Sequence, residues 1–200
     1  MGKLRFVYSP MEAGKSAMLL IEAYNFEKRN INILCMKPSI DNREDIDKIS
    51  SRIGIEKECF AIYPQYDVYN IVKKLIETEE NKHLQWILVD ESQFLTKKQV
   101  EQFRAIVDDF DINVLCYGLR TDFMTHLFEG SKRLFELADD ISEMKISCFC
   151  GGKAIFNARF NEYCEMVTNG EQILIGGDDI YKPLCSKCYR KEIEKQMYNE

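Results

Sequence analysis

A chain of 200 residues has room for one domain of ordinary size, or one domain with a small appendage, and a hydrophobic fraction of 46% supplies a sizeable core. A net charge of −6 and a pI near 5.2 argue against a nucleic-acid binder, whose affinity comes mainly from neutralising phosphates. No apolar run approaches the ~20 residues of a bilayer span, and Met1 to Arg5 leads straight into a strand pattern, so no membrane segment and no signal peptide are expected. The cytoplasm is the expected location, and there the eight cysteines are thiols or metal ligands rather than disulfides.

The first pattern is Leu4 to Tyr8, an apolar run broken only by Arg5. A turn follows, then Gly14-Lys15-Ser16, then the apolar start of a helix over about 15–29. Strand, loop, Gly-Lys-Ser and helix is the layout of a phosphate-binding P-loop. Unpartnered N–H groups at the helix start and the helix dipole favour an anion there. Gly14 permits close approach of the backbone, Lys15 brings a cation to the phosphates, and the Ser16 hydroxyl is a hard ligand for Mg²⁺. Two positions depart from the full pattern: Ser9 stands where a glycine is usual, and Glu12 must point away from a phosphate or repel it. The competing reading is a chance Gly-Lys-Ser at a helix start.

Ile31 to Met36 reads as a second buried strand, and residues 37 to 57 as a long loop with some helix. Cys59 to Tyr63 fits a strand, and Val68 to Glu79 an amphipathic helix. Trp86-Ile87-Leu88-Val89 ends in Asp90-Glu91, as a buried parallel strand does at a ligand-binding edge. In a P-loop protein an acid at that point holds the Mg²⁺ shell; alone, it is an ordinary strand followed by solvated acids. A helix over 96–109 and a strand from Ile112 to Gly118 complete an alternating order. That order predicts an α/β fold, a mostly parallel sheet with helices on both faces and ligands at the carboxyl ends of the strands. Ser9 to Ser16, Asp41, Asp90-Glu91 and Leu119 to Phe123 all follow strand ends and can share one cleft. Phe123 and Phe128 either face a planar ligand there or seal the core.

Beyond Met144 the composition changes, so the domains are set at 1–143 and 144–200. Cys148 and Cys150, with Cys185 and Cys188, form two close pairs suited to tetrahedral zinc in a small ribbon, two knuckles joined by a hairpin. The first pair is C-x-C, one residue short of the usual spacing; a redox dithiol or unconnected buried thiols are the alternatives. Cys35 and Cys116 lie in apolar strands and read as core. Between the pairs, Ile173-Leu174-Ile175 precedes Gly176-Gly177, which suits either close approach to a ligand or an ordinary hairpin. Lys187 to Tyr198 reads as a charged, solvated helix.

Together these residues resemble the thymidine kinases of the cellular, type-II class over nearly the whole chain. The resemblance rests on Ser-Pro-Met-x-x-Gly-Lys-Ser at 9–16, Asp-x-Arg at 41–43 and Asp-Glu-x-Gln-Phe at 90–94. It extends to Tyr-Gly-Leu-Arg-Thr-Asp-Phe at 117–123, Ile-Gly-Gly-x-x-x-Tyr at 175–181 and the cysteine pairs. It implies a RecA-like P-loop sheet with a zinc ribbon, and transfer of the ATP γ-phosphoryl group to the 5′-hydroxyl of thymidine or deoxyuridine. Ser9, Pro10, Met11, Glu12, Ala13, Gly14, Lys15 and Ser16, with Asp90 and Gln93, would bind ATP, and Ser16 and Asp90 would hold Mg²⁺. Glu91 matches the catalytic base, Asp41 a ligand of the sugar 3′-hydroxyl, and Arg43 a residue near the transferred phosphate. Met11, Leu119, Phe123, Phe128 and Tyr181 match the thymine pocket, with Leu174, Ile175 and Gly176 in the loop that reads the base edge. A structural zinc at the four cysteines, a homotetramer and feedback inhibition by thymidine triphosphate are also implied. Met124 stands where the resembling proteins often carry a basic residue. The readings set against this one are a P-loop ATPase without an acceptor and a zinc-ribbon protein that binds nucleic acid.

Overall fold

The computed structural model describes residues 1–39, 46–172 and 180–197. The chain runs β1 (Leu4–Ser9), α1 (Lys15–Lys28), β2 (Asn32–Pro38), β3 (Lys48–Ser50), β4 (Glu56–Glu58), β5 (Phe60–Ile62), α2 (Val68–Ile76) and β6 (Leu84–Val89). It continues through a 3-10 turn (Ser92–Phe94), α3 (Lys97–Phe110), β7 (Asn113–Leu119), α4 (Glu129–Leu137), β8 (Asp140–Glu143), β9 (Phe156–Phe160), β10 (Met166–Val167), β11 (Ile180–Leu184) and α5 (Ser186–Met197).

Six strands form one sheet in the order β5-β2-β6-β7-β1-β8, and every pairing in it is parallel. Both faces are covered, and the side-chain alternation of period two decides which residue meets which layer. Phe6, Ile87, Val89, Val114 and Cys116 face a cluster with Val72, Val100, Phe103 and Leu134, from α2, α3 and α4. Leu88, Leu115 and Tyr117 face Leu19, Leu20 and Ala23 of α1, joined by Ile49 of β3. The helix ends follow local chemistry. The Asp67 carboxylate accepts from Asn70 N–H at the start of α2, and Thr96 with Gln99 closes a reciprocal capping box on α3.

Three expectations change. The described part of 37–57 is strand and turn, not helix: Lys37 and Pro38 finish β2, and β3 with β4 makes an antiparallel hairpin. Proline disfavours helix at the residue before it, and burying Ile49 under α1 requires an extended β3. The span between the cysteine pairs is a three-stranded antiparallel sheet, β10-β9-β11, rather than a bare hairpin. The C-terminal helix is not wholly solvated, because Tyr189 of α5 packs into a cluster with Cys148, Ala154, Ala158, Phe160, Met166 and Leu184. Helix α4 and edge strand β8 had no sequence expectation.

Helix α4 lies directly on the turn after Glu91. A Cβ at Gly130 would sit 2.6 Å from the Ser92 carbonyl oxygen and 2.7 Å from that of Leu95. Both obstacles are backbone, so neither can rotate away. Gly130→Ala is therefore expected to destabilise by about 1–3 kcal/mol. A melting temperature lower by several degrees would show it, and an unchanged one would mean that α4 can retreat at no cost.

Candidate active site

At the carboxyl edge of the sheet the chain turns from Ser9 into Pro10 and then α1. The backbone strain sits elsewhere than the sequence suggests. Ser9 ends β1 without a left-handed conformation, while Glu12 (φ 64°) and Gly14 (φ 77°) adopt one. Gly14 caps α1, and its carbonyl accepts from Met18 N–H at 3.0 Å. The Glu12 side chain lines the cleft and leans onto Arg52 of the β3–β4 turn, 3.3 Å away, which offsets its charge. Lys15 is buried and folds back over the loop, donating to Ser9 Oγ and to the Pro10 carbonyl, each at 3.3 Å.

Asp90 and Glu91 follow β6. Asp90 is buried, its N–H donates to the Met36 carbonyl, and its Oδ1 has no hydrogen-bond partner. Burial raises its pKa, and the Glu91 charge adds to the rise; a bond from the Ser16 hydroxyl and the charge of Lys15 oppose it. A buried carboxylate oxygen without a donor, beside a serine hydroxyl, is an oxygen-only arrangement that suits a hard cation. Glu91 is left-handed (φ 48°, ψ 36°), an uncommon state for a residue with a side chain, and one that clusters at functional sites. Gln93 holds it there. The amide of this buried side chain donates to the Glu91 carboxylate, while its oxygen accepts from Leu119 N–H at 2.9 Å.

Opposite lies an aromatic wall. Phe123 and Phe128 are buried and also line the cleft. Phe128 meets Phe94 edge to face at 5.8 Å. Phe123 lies beneath the Arg159 guanidinium at 5.0 Å, and its carbonyl accepts from Tyr189 Oη at 2.6 Å. Met11, Gly14, Lys15, Ser16, Asp90, Glu91, Leu119, Phe123, Phe128 and Tyr181 share one cleft of about 480 Å³. Asp41, Arg43, Leu174, Ile175 and Gly176 lie outside the described residues. Sequence reasoning missed Lys37, Arg52, Phe94, Asn157 and Gln172, which also line the cleft. Lys37 and Arg52 sit in a stretch read as loop, and Asn157 is one polar residue in a strand whose partners are distant in sequence.

The cysteines form a second centre. The sulfurs of Cys148, Cys150, Cys185 and Cys188 all lie within 4.8 Å of one another. Tetrahedral zinc, with bonds near 2.3 Å, places its sulfurs about 3.8 Å apart, so the set fits that ion. The short C-x-C spacing is accommodated by a tight turn: Cys148 N–H donates to the Gly152 carbonyl, and Gly151 takes a left-handed φ of 82°. All four cysteines converge, which removes the expectation of unconnected thiols.

Residues 2–189 match the family described as thymidine kinase. A thymidine kinase of Pasteurella multocida is 46% identical over 193 residues, 96% of this chain and 99% of that one. One of Rhodopirellula baltica is 44% identical over 200 residues, 100% and 93% of the two chains. One of Vibrio cholerae is 44% identical over 193 residues, 96% and 99%. The phosphate loop, the paired carboxylates and the aromatic wall thus occur in a chain that belongs to the thymidine kinase family.

Proposed function

We propose that this chain transfers the γ-phosphoryl group of ATP to the 5′-hydroxyl of thymidine, giving the 5′-monophosphate in nucleoside salvage. What supports the reading most is that one cleft holds a phosphate loop, a carboxylate at the end of β6 and a buried aromatic wall. Phosphoryl transfer asks for positioning and charge neutralisation more than covalent chemistry. The N–H groups of residues 12–16 and the Lys15 ammonium bind the triphosphate. Gln93 sets Glu91 in the orientation that accepts the 5′-hydroxyl proton. Asp90 and Ser16 would hold Mg²⁺, the unpartnered Asp90 Oδ1 being the fitting donor. That ion, when bound, neutralises phosphate charge. Met11, Leu119, Phe123, Phe128 and Tyr181 enclose the base, with Leu174, Ile175 and Gly176 reading its edge. Asp41 takes the 3′-hydroxyl, and Arg43 lies by the transferred phosphate. Hydrolysis without an acceptor would leave the aromatic wall without a purpose, and the acidic balance opposes nucleic-acid binding.

Deoxyuridine is the proposed second substrate, since one methyl in an apolar pocket discriminates by only ~1–3 kcal/mol. Thymidine triphosphate, with the base of one substrate and the tail of the other, is the proposed feedback inhibitor. The proposed assembly is a homotetramer, and the exposed Met18, Ile21 and Tyr24 on α1 are apolar surface for it. The proposed domains are 1–143 and 144–200, the latter held by a structural zinc on the four cysteines. The cytoplasm is the proposed location, where such thiols stay reduced. No described helix is long and apolar enough to cross a membrane.

A nucleoside panel with labelled ATP is expected to yield a 5′-monophosphate from thymidine; ATP turnover that ignores every nucleoside would refute the proposal. Glu91→Gln is expected to keep thymidine affinity while kcat drops by roughly 10²–10⁴-fold, and near-normal turnover would remove Glu91 as the base. Elemental analysis is expected to find about one zinc per chain, with chelation opening the C-terminal sheet to protease. A content far below one zinc would discard the metal assignment.

A further inference from the structure

The proposed reaction brings two substrates to two segments of the cleft. The donor phosphates lie on the loop after β1, and the acceptor base lies against the loop after β7. These loops follow neighbouring strands, and among the described residues the ladder between them ends at Ser9 and Leu119. One side chain bridges them beyond that point. Asn157 of β9 is buried, accepts from Met11 N–H at 2.7 Å through Oδ1, and donates from Nδ2 to the Thr121 carbonyl at 2.9 Å. Met11 N–H can only donate and the Thr121 carbonyl can only accept, so the amide has one possible orientation.

The strand supplying it is well anchored. Ala158 and Phe160 point into the small C-terminal core, which puts Asn157 and Arg159 on the opposite face, toward the cleft. Arg159 sits over Phe123, and β9 is paired on both sides, to β10 and β11. Asn157 is therefore a short, rigid bridge between the start of the phosphate loop and the first turn of the base-binding loop. The amide carries a donor and an acceptor on one planar group and so serves both contacts at once.

We propose that Asn157 is a positioning residue for phosphoryl transfer: it sets the separation between the donor and acceptor loops. This rests on the kinase reading above. A residue of that kind acts on alignment more than on either binding step. Misplacing reactants by about 1 Å can cost on the order of 100-fold in rate with the binding contacts still present.

The test compares the full-length parent, Asn157→Leu and Asn157→Asp for kcat, both KM values, separate binding of thymidine and of an ATP analogue, and melting temperature. Leucine is close in size and makes neither bond. Aspartate can keep the Met11 N–H contact but sets an oxygen against the Thr121 carbonyl. The expected result is a kcat lower by about 100-fold in the leucine variant and at least about 10-fold in the aspartate variant, with each separate affinity within about threefold of the parent. A folded variant with near-parental kcat and only a lower melting temperature overturns the proposal, as does failure of both variants to fold, since either makes Asn157 purely structural. No monophosphate from the parent itself overturns the kinase reading and this proposal with it, whereas an active parent beside an equally active leucine variant overturns this proposal alone.

Discussion

A parallel sheet covered on both faces leaves its carboxyl edge as the place where charged groups can gather and a ligand can still reach them. The rest of this structure depends on that constraint. Lys15, Asp90, Gln93 and Asn157 are all buried at or beside this edge, and each is tied to a segment other than its own strand or helix. A buried polar group without a partner carries a penalty of a few kcal/mol. These cross-segment bonds therefore help hold the cleft open and in shape before any substrate arrives. Asp90 Oδ1 is the exception, and an oxygen left without a donor in such a setting favours a cation.

The same economy explains the strained Glu91. A strand that ended smoothly would carry this carboxylate on along the sheet direction. The left-handed turn at φ 48° instead swings the chain into the 3-10 turn, where Ser92 and Gln93 are buried beneath Gly118 and Gly130. Each of those glycines leaves room that a methyl group would fill, at 2.6 Å from Ser92 Oγ and from the Ser92 carbonyl oxygen respectively. Tight packing on two sides is what over-determines the uncommon conformation of Glu91.

The parts of the molecule visible in the sequence are those governed by local rules. Gly14-Lys15-Ser16, Val89-Asp90-Glu91 and the cysteine pairs advertise themselves because their chemistry needs fixed neighbours at fixed spacing. The helix over 96–109 was legible from its periodicity, and Thr96 with Gln99 fixes its start. What stayed hidden depends on contacts far along the chain. The β3–β4 hairpin is specified by Ile49 finding α1, α4 by Gly130 finding the turn after Glu91, and Asn157 by partners 146 and 36 residues away. The partner of Glu12 was hidden for the same reason, since its counter-charge, Arg52, lies 40 residues on.

The C-terminal region that carries the cysteine pairs is more than an appendage. Its residues reach the aromatic wall at several points: Tyr189 at the Phe123 carbonyl, Arg159 over the Phe123 ring, Gln172 on the buried Asp122 carboxylate, and Asn157 at Thr121. Asp122 in turn closes the 122–126 turn by accepting from His126 N–H at 2.8 Å. The segment after β7 is therefore held from two sides, by Gln93 and Ser131 at Leu119 and by the C-terminal region at Thr121, Asp122 and Phe123. A small sheet of this kind has too little core to hold such contacts rigidly by burial alone. The four clustered cysteines flank the end of β11 and the start of α5, where a bound metal would brace it, and Tyr189 of α5 links that region to Phe123 through the bond to its carbonyl.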